Sequence, residues 1–140
     1  FDSDPERKLA IILEKDTSVR LWMKPGPNQF KIFDNHGAPY QPDFVVETDK
    51  DKLIIEVKRK SEMMSPEVLR KAEAASLWSH IATTACASSG EKAWSYLLVP
   101  ETDVDENFTI DGLKSLHLRL PSEEALKRYE IENKYLDMHN

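Results

Sequence analysis

Tyr40-Gln41-Pro42-Asp43-Phe44-Val45-Val46-Glu47 and, a few residues on, Lys52-Leu53-Ile54-Ile55-Glu56-Val57-Lys58 decide the fold. Both runs are rich in β-branched and apolar residues and read as strands. Thr48-Asp49-Lys50-Asp51 between them is a short polar hairpin loop. Period-two alternation puts Leu53, Ile55 and Val57 on one face of the second strand and Ile54, Glu56 and Lys58 on the other. A simple hairpin then sets Asp43 opposite position 56 or 57. Two carboxylates and an ammonium meet at one end of the hairpin.

Working outward, Ser3-Asp4-Pro5-Glu6 opens a helix as a capping box, and Leu9, Ala10 and Leu13 continue it at helical spacing to about Lys15-Asp16. Val19 to Met23 is a strand, stopped by Pro25-Gly26-Pro27-Asn28. Phe30 to Phe33 is another, followed by a turn at Asp34-Asn35-His36-Gly37. A long helix runs from about Pro66 to Ala87 and ends at Ser88-Ser89-Gly90. Trp94 to Val99 is a strand closed by Pro100, and Glu101 to Asn107 is an acidic surface loop. Leu116 to Leu120 reads as a last short strand. Pro121-Ser122-Glu123-Glu124 starts a C-terminal helix, with acids where the helix dipole favours them. This order predicts an α/β domain, a mixed central β-sheet flanked by helices.

The 140 residues make one domain's length, with 40% hydrophobic and 31% charged residues. No apolar run approaches the roughly 20 residues that span a bilayer, so no membrane partner is expected. The single cysteine, Cys86, excludes an internal disulfide framework and a four-cysteine metal site; a reducing, cytoplasmic setting is the expectation. Four glycines and no glycine-rich loop argue against a P-loop or Rossmann nucleotide site. The net charge of −6, from 25 acids and 19 bases, argues against coating nucleic acid by bulk electrostatics. Local contact through segregated charge stays open.

Two carboxylates a few ångströms apart repel unless protonated or bridged by a cation. Hard oxygen ligands at a partly open site suit Mg²⁺, which keeps several waters and takes substrate phosphate oxygens. A lysine beside such a site can orient the attacking water and face the charge that builds on the phosphoryl group. These are the parts of a metal-assisted phosphodiester hydrolase. The bland alternative is an edge strand carrying solubilising charges.

Phe1 to Glu6 (FDSDPE), Tyr40 to Phe44 (YQPDF) and Ile54 to Lys58 (IIEVK) stand in order. Lys71-Ala72-Glu73-Ala74-Ala75 and Trp78 on one helix follow, then Trp94-Ser95-Tyr96-Leu97-Leu98-Val99. The arrangement resembles the C-terminal endonuclease domain of type III restriction enzyme subunits and their helicase-linked relatives, within the PD-(D/E)xK nuclease superfamily. It covers roughly residues 1 to 100; residues 101–140 carry no such likeness. The resemblance implies a restriction-endonuclease-like core and a metal-dependent endonuclease acting on double-stranded DNA in restriction or phage defence. In it Asp43 and Glu56 ligate Mg²⁺, with Mn²⁺ as a substitute, the backbone carbonyl of Val57 is a further ligand, and Lys58 assists the water. The family carries this domain behind a helicase or translocase motor and works with a methyltransferase subunit. Residues 1–140 then correspond to a single nuclease domain excised from the C-terminal end of a larger protein. The alternative is a catalytically inactive nuclease-fold module for DNA binding or protein interaction.

Glu6 reads equally as a helix cap and as an acid near the metal, because many superfamily members place an acid on the first helix. Lys71 heads the helical stripe 71, 75, 78, 82, 85, and either snorkels to solvent or points past the sheet edge to the metal or a phosphate; the family pattern favours the second. Arg59, Lys60, Arg70 and Lys71 beside Lys58 form a basic cluster for the DNA backbone or a solvated helix face. Charge segregation then predicts a basic rim around the site and an acidic far side built from Glu101 to Glu106 and the last helix. Trp22, Trp78, Trp94 and Cys86 read as core, and the four histidines have no metal-ligand spacing.

Overall fold

The computed structural model describes residues 4–34 and 37–139. Ser3 as a cap, the rest of Phe1–Ser3, and the Asn35-His36 turn lie outside the described residues. The elements are α1 (Asp4–Lys15), β1 (Val19–Met23), β2 (Ile32–Phe33), β3 (Pro39–Tyr40), β4 (Phe44–Thr48), β5 (Lys52–Lys58), α2 (Pro66–Cys86), β6 (Trp94–Pro100), α3 (Ile110–His117), β7 (Leu118–Arg119) and α4 (Glu123–His139).

The expected mixed sheet flanked by helices is present. Five strands lie in the order β1-β4-β5-β6-β7. Only β5 and β6 run parallel; every other neighbouring pair is antiparallel. A parallel pair needs a crossover, and α2 supplies it. Because β5 is central it is apolar on both faces. Leu53 and Ile55 join Phe44, Val46, Leu97 and Val99 under α1 and α3, which contribute Leu9, Ile12, Leu13, Ile110 and Leu113. Ile54 joins Tyr96, Leu98 and Ile32 under Val68, Ala72 and Ala75 of α2.

Ser65 caps α2 by accepting the Val68 N–H at 3.3 Å, with Pro66 in the first turn. Its buried face is Val68, Ala72, Ala75, Ser76 and Ser79, rotated from the expected stripe. Lys71, Trp78 and Ala82 are half-buried and Ala85 is exposed. Small side chains on the buried face make room for the bulky, fully buried Tyr96. After Cys86 a 3-10 turn, Ala87–Ser89, follows and stops at Gly90, whose φ of 74° is the left-handed conformation that glycine adopts without strain.

Three expectations are corrected. The strand expected at Tyr40 to Glu47 divides: Pro39–Tyr40 pairs with Ile32–Phe33 in a separate two-stranded sheet, and β4 begins at Phe44. Pro42 has no N–H for a ladder, which ends the longer strand. Of the strand expected at Leu116 to Leu120, Leu116 and His117 are the end of α3, capped by Thr109, and only Leu118–Arg119 pairs with β6. Cys86 is half-buried at a helix end rather than in the core. Among the described residues no helix is long and apolar enough to cross a membrane.

Candidate active site

The hairpin register brings the acids together. Phe44 pairs with Ile55, and the next step outward sets Asp43 against Glu56. Asp43 lies in the bend just before β4, and its Oδ2 accepts the Val57 N–H at 2.9 Å. Glu56 is on the α2 face of β5 and only 3% exposed. Lys58 shares that face at the end of the strand and is half-buried.

The electrostatics follow from burial. Removal from water, then the neighbouring Asp43 charge, pushes the Glu56 carboxyl up to about 8; Lys58 and Lys71 oppose this. Burial raises Asp43 as well, against the Val57 N–H and Lys58. Glu56 Oε1 is fully buried and has no hydrogen-bond partner, the one such side-chain atom among the described residues. A buried oxygen without a donor is costly, and a cation removes that cost. The donor set at this place is two carboxylates, with the Val57 carbonyl as the backbone ligand expected from sequence; oxygen ligands of this kind fit Mg²⁺ or Mn²⁺. No group of three or more His, Cys, Asp or Glu side chains gathers on one point among the described residues.

The remaining sequence candidates divide. Glu6 is buried, and its Oε1 accepts from Lys24 Nζ at 3.1 Å. Its charge reaches Asp43, so it belongs to the neighbourhood of the cluster. Lys71 faces Glu56 electrostatically while its Nζ lies 3.0 Å from Glu67 Oε1 and 5.8 Å from the Tyr40 ring centre. Arg59 and Lys60 are exposed in the turn that leaves β5. Arg70 differs: its Nε lies 3.4 Å from Asp34, whose side chain is only 4% exposed. It ties α2 to the loop after β2.

The acidic far side is also corrected. Parallel β5 and β6 place Lys58 beside Pro100, so Glu101–Asp103, which follow Pro100 directly, stand at the same end of the sheet as the cluster. Chain separation suggested distance, and the parallel crossover removed it.

Two neighbours were not legible as site residues. Tyr40 donates its hydroxyl to the Lys71 carbonyl at 2.9 Å. Burial and then the Glu56 charge raise its hydroxyl far above the usual phenol range. Lys24 follows β1, stands 5.4 Å from the Phe44 ring centre and acts on Asp43. Its signal in the sequence was only its place just after a strand, and the pairing of β1 with β4, which sets Met23 against Val45, is one that spacing does not resolve.

Fold and site define a mixed α/β domain with a carboxylate pair, Glu56 buried and Asp43 half-buried, flanked by lysines at one end of its sheet. No protein-family model matches the chain, and no curated protein or solved structure matches it either.

Proposed function

We propose that the chain is a metal-dependent endonuclease domain that hydrolyses phosphodiester bonds in double-stranded DNA, as part of a type III-like restriction or defence enzyme. The observation that carries this reading is the buried, unpartnered Glu56 Oε1 beside Asp43. The restriction-endonuclease-like core is part of the proposal and is supported by the order helix, strands, crossover helix, parallel strand, with the carboxylates on adjacent strand ends.

When bound, Mg²⁺ supplies Lewis-acid polarisation of a phosphoryl oxygen and a more acidic water. Asp43 and Glu56 hold it, and Val57 pins Asp43 through its N–H. Lys58 orients the attacking water and faces the negative charge on the phosphoryl oxygens. The water oxygen bonds to phosphorus, the bond from phosphorus to the leaving sugar oxygen breaks, and the water's proton passes through solvent to that oxygen. Lys71, whose charge acts on Glu56, serves as a second cation toward the phosphate. Arg59 and Lys60 contact the DNA backbone, and a motor domain of the same chain and a methyltransferase subunit deliver the substrate.

Plasmid cleavage with and without Mg²⁺, beside Asp43→Ala and Lys58→Ala, tests the reading. Nicking or linearisation by the wild type alone, with both variants folded and silent, supports it. A folded wild type that leaves plasmid intact with either Mg²⁺ or Mn²⁺ turns the reading toward the inactive interaction module. The exposed Ile131, Tyr135, Leu136 and Met138 on α4 favour that second role.

A further inference from the structure

Helix α4 is fastened to the rest of the domain near its start. Ser122, just before it, donates its N–H and its hydroxyl to Glu73 Oε1 of α2 at 2.9 and 2.6 Å. Ala125, in the first turn, is the one buried residue among its 17. Helices in water owe most of their stability to a packed apolar face, so a helix held in this way is short of a partner. Between α2 and α4 lies an open groove of about 860 Å³. The half-buried Leu77, Trp78 and Ile81 line it from α2, and Tyr129 and Glu132 line it from α4. Phe33, 61% exposed, also lines it.

The same helix carries a ridge of the kind that fills such a groove. Ile131, Tyr135 and Met138 stand at i, i+4 and i+7 and form one stripe, 68%, 60% and 80% exposed. Lys127 and Lys134 border that stripe on either side of Ile131 along the helix, while Glu130 and Asp137 lie further round it. Neither lysine is in an ion pair among the described residues. In the groove, Arg70 and Arg128 are already matched by Asp34 and Glu124. Glu73 and Glu132 have no ion-pair partner among the described residues. The groove therefore keeps unpaired acids, and the ridge keeps unpaired bases.

Groove and ridge are complementary in shape and charge, and one chain carries both. A two-fold axis satisfies both at once, because the surface on each copy then meets its own counterpart. We infer that the chain forms a two-fold dimer in which each α4 lays its Ile131, Tyr135 and Met138 stripe in the α2–α4 groove of the second copy. Lys127 and Lys134 of one copy face Glu73 and Glu132 of the other. It is the helix-in-groove mode of recognition, used reciprocally, so the assembly closes at two chains. The inference does not rest on the metal-site reading, since these residues lie outside the carboxylate pair.

Light scattering behind a size-exclusion column tests it, with the full 140-residue chain loaded at increasing concentration up to hundreds of micromolar. The wild type reaches the mass of two chains and stops there. Ile131→Glu, a change at an exposed position, stays at the mass of one chain. A helix variant, Lys127→Glu with Lys134→Glu, and a groove variant, Glu132→Lys, each dimerise about tenfold more weakly, because like charges then meet. Mixed together, the two variants form a dimer tighter than either forms alone. In the mixed pair the changed helix meets the changed groove, and the other contact is native. Circular dichroism confirms folding, and the charge variants decide the matter if Ile131→Glu folds poorly. A wild type that stays a single chain, or grows beyond two, overturns the inference. So does a folded Ile131→Glu that still dimerises, or a mixture no tighter than its separate components.

Discussion

The Val57 backbone N–H donates to Asp43 Oδ2 at 2.9 Å, across the mouth of the β4–β5 hairpin. This bond extends the strand pairing by one position with a side chain where Pro42 interrupts the backbone ladder. Because Val57 follows Glu56, the same bond fixes Asp43 over Glu56. The geometry that gathers the acids is therefore part of the hairpin itself, and the repulsion it creates is what a cation relieves.

Divalent ions are expected to stabilise the fold. A ligand that binds only the native state contributes about 1.4 kcal/mol at a tenfold excess over Kd, or a Tm rise of about 5 °C for a domain this size. Differential scanning fluorimetry with MgCl₂ or MnCl₂ checks this. Asp43→Asn should lose the shift, and the absence of any shift in the wild type up to tens of millimolar, with and without a DNA duplex, contradicts the site.

The Glu56 carboxyl sets a pH dependence whose sign is opposite to that of an ordinary salt-bridged acid. Its proton is held in the folded state up to about 8, against an ordinary value of 4.5. Between these values the native state binds more protons than the unfolded one, so this contribution is full below about 4.5 and is lost as pH rises through about 8. Glu56→Gln should therefore be more stable than the metal-free wild type at pH 8.5, with the gap narrowing at pH 5. Urea melts at the two pH values measure it. Ion binding must expel the same proton, so Mn²⁺ affinity should rise with pH over this window; a flat profile counts against Glu56 as a ligand.

Tyr40→Phe removes the donor to the Lys71 carbonyl while keeping the ring. The expected loss is about 1 kcal/mol, the cost of a broken, partly buried hydrogen bond. Since that bond also seats α2 over Glu56, cleavage by the variant should fall more than its stability alone explains. Equilibrium denaturation paired with initial cleavage rates separates the two effects.

The basic residues should divide by role. Arg59→Ala and Lys60→Ala change exposed charges; each should lower the salt slope of DNA binding by about one unit with little effect on Tm. Arg70→Ala takes the guanidinium from the buried Asp34 and should instead lower Tm, leaving the salt slope nearly unchanged. Fluorescence anisotropy over a salt series checks the first, and thermal melts the second. Equal slope changes for all three residues would place Arg70 on the DNA after all.

Much of the local structure was legible. The strands Val19–Met23 and Lys52–Lys58 and the helix from Pro66 follow from β-branched alternation, a proline stop and a Ser-Pro cap, all short-range effects. Helix α3 was missed because Ile110, Leu113 and Leu116 sit among polar residues in a segment short enough to read as loop and strand. The β2–β3 pair was missed because its two-residue strands gain their stability from packing on α2, which no local pattern encodes.

The sequence by itself determined the hairpin and the parity of its second strand, and hence that Glu56 and Lys58 share one face at the end where Asp43 stands; it left position 56 or 57 open as the partner of Asp43, which the register of Phe44 against Ile55 resolved. Tertiary structure alone decided what surrounds them. It paired Lys24 with Glu6, committed Arg70 to Asp34, and set Glu101–Asp103 at the same end as Lys58. Those contacts depend on the pairing of β1 with β4 and on the parallel crossover through α2. Both join segments far apart in the chain, where the burial of whole faces, rather than any local spacing, chooses the partner.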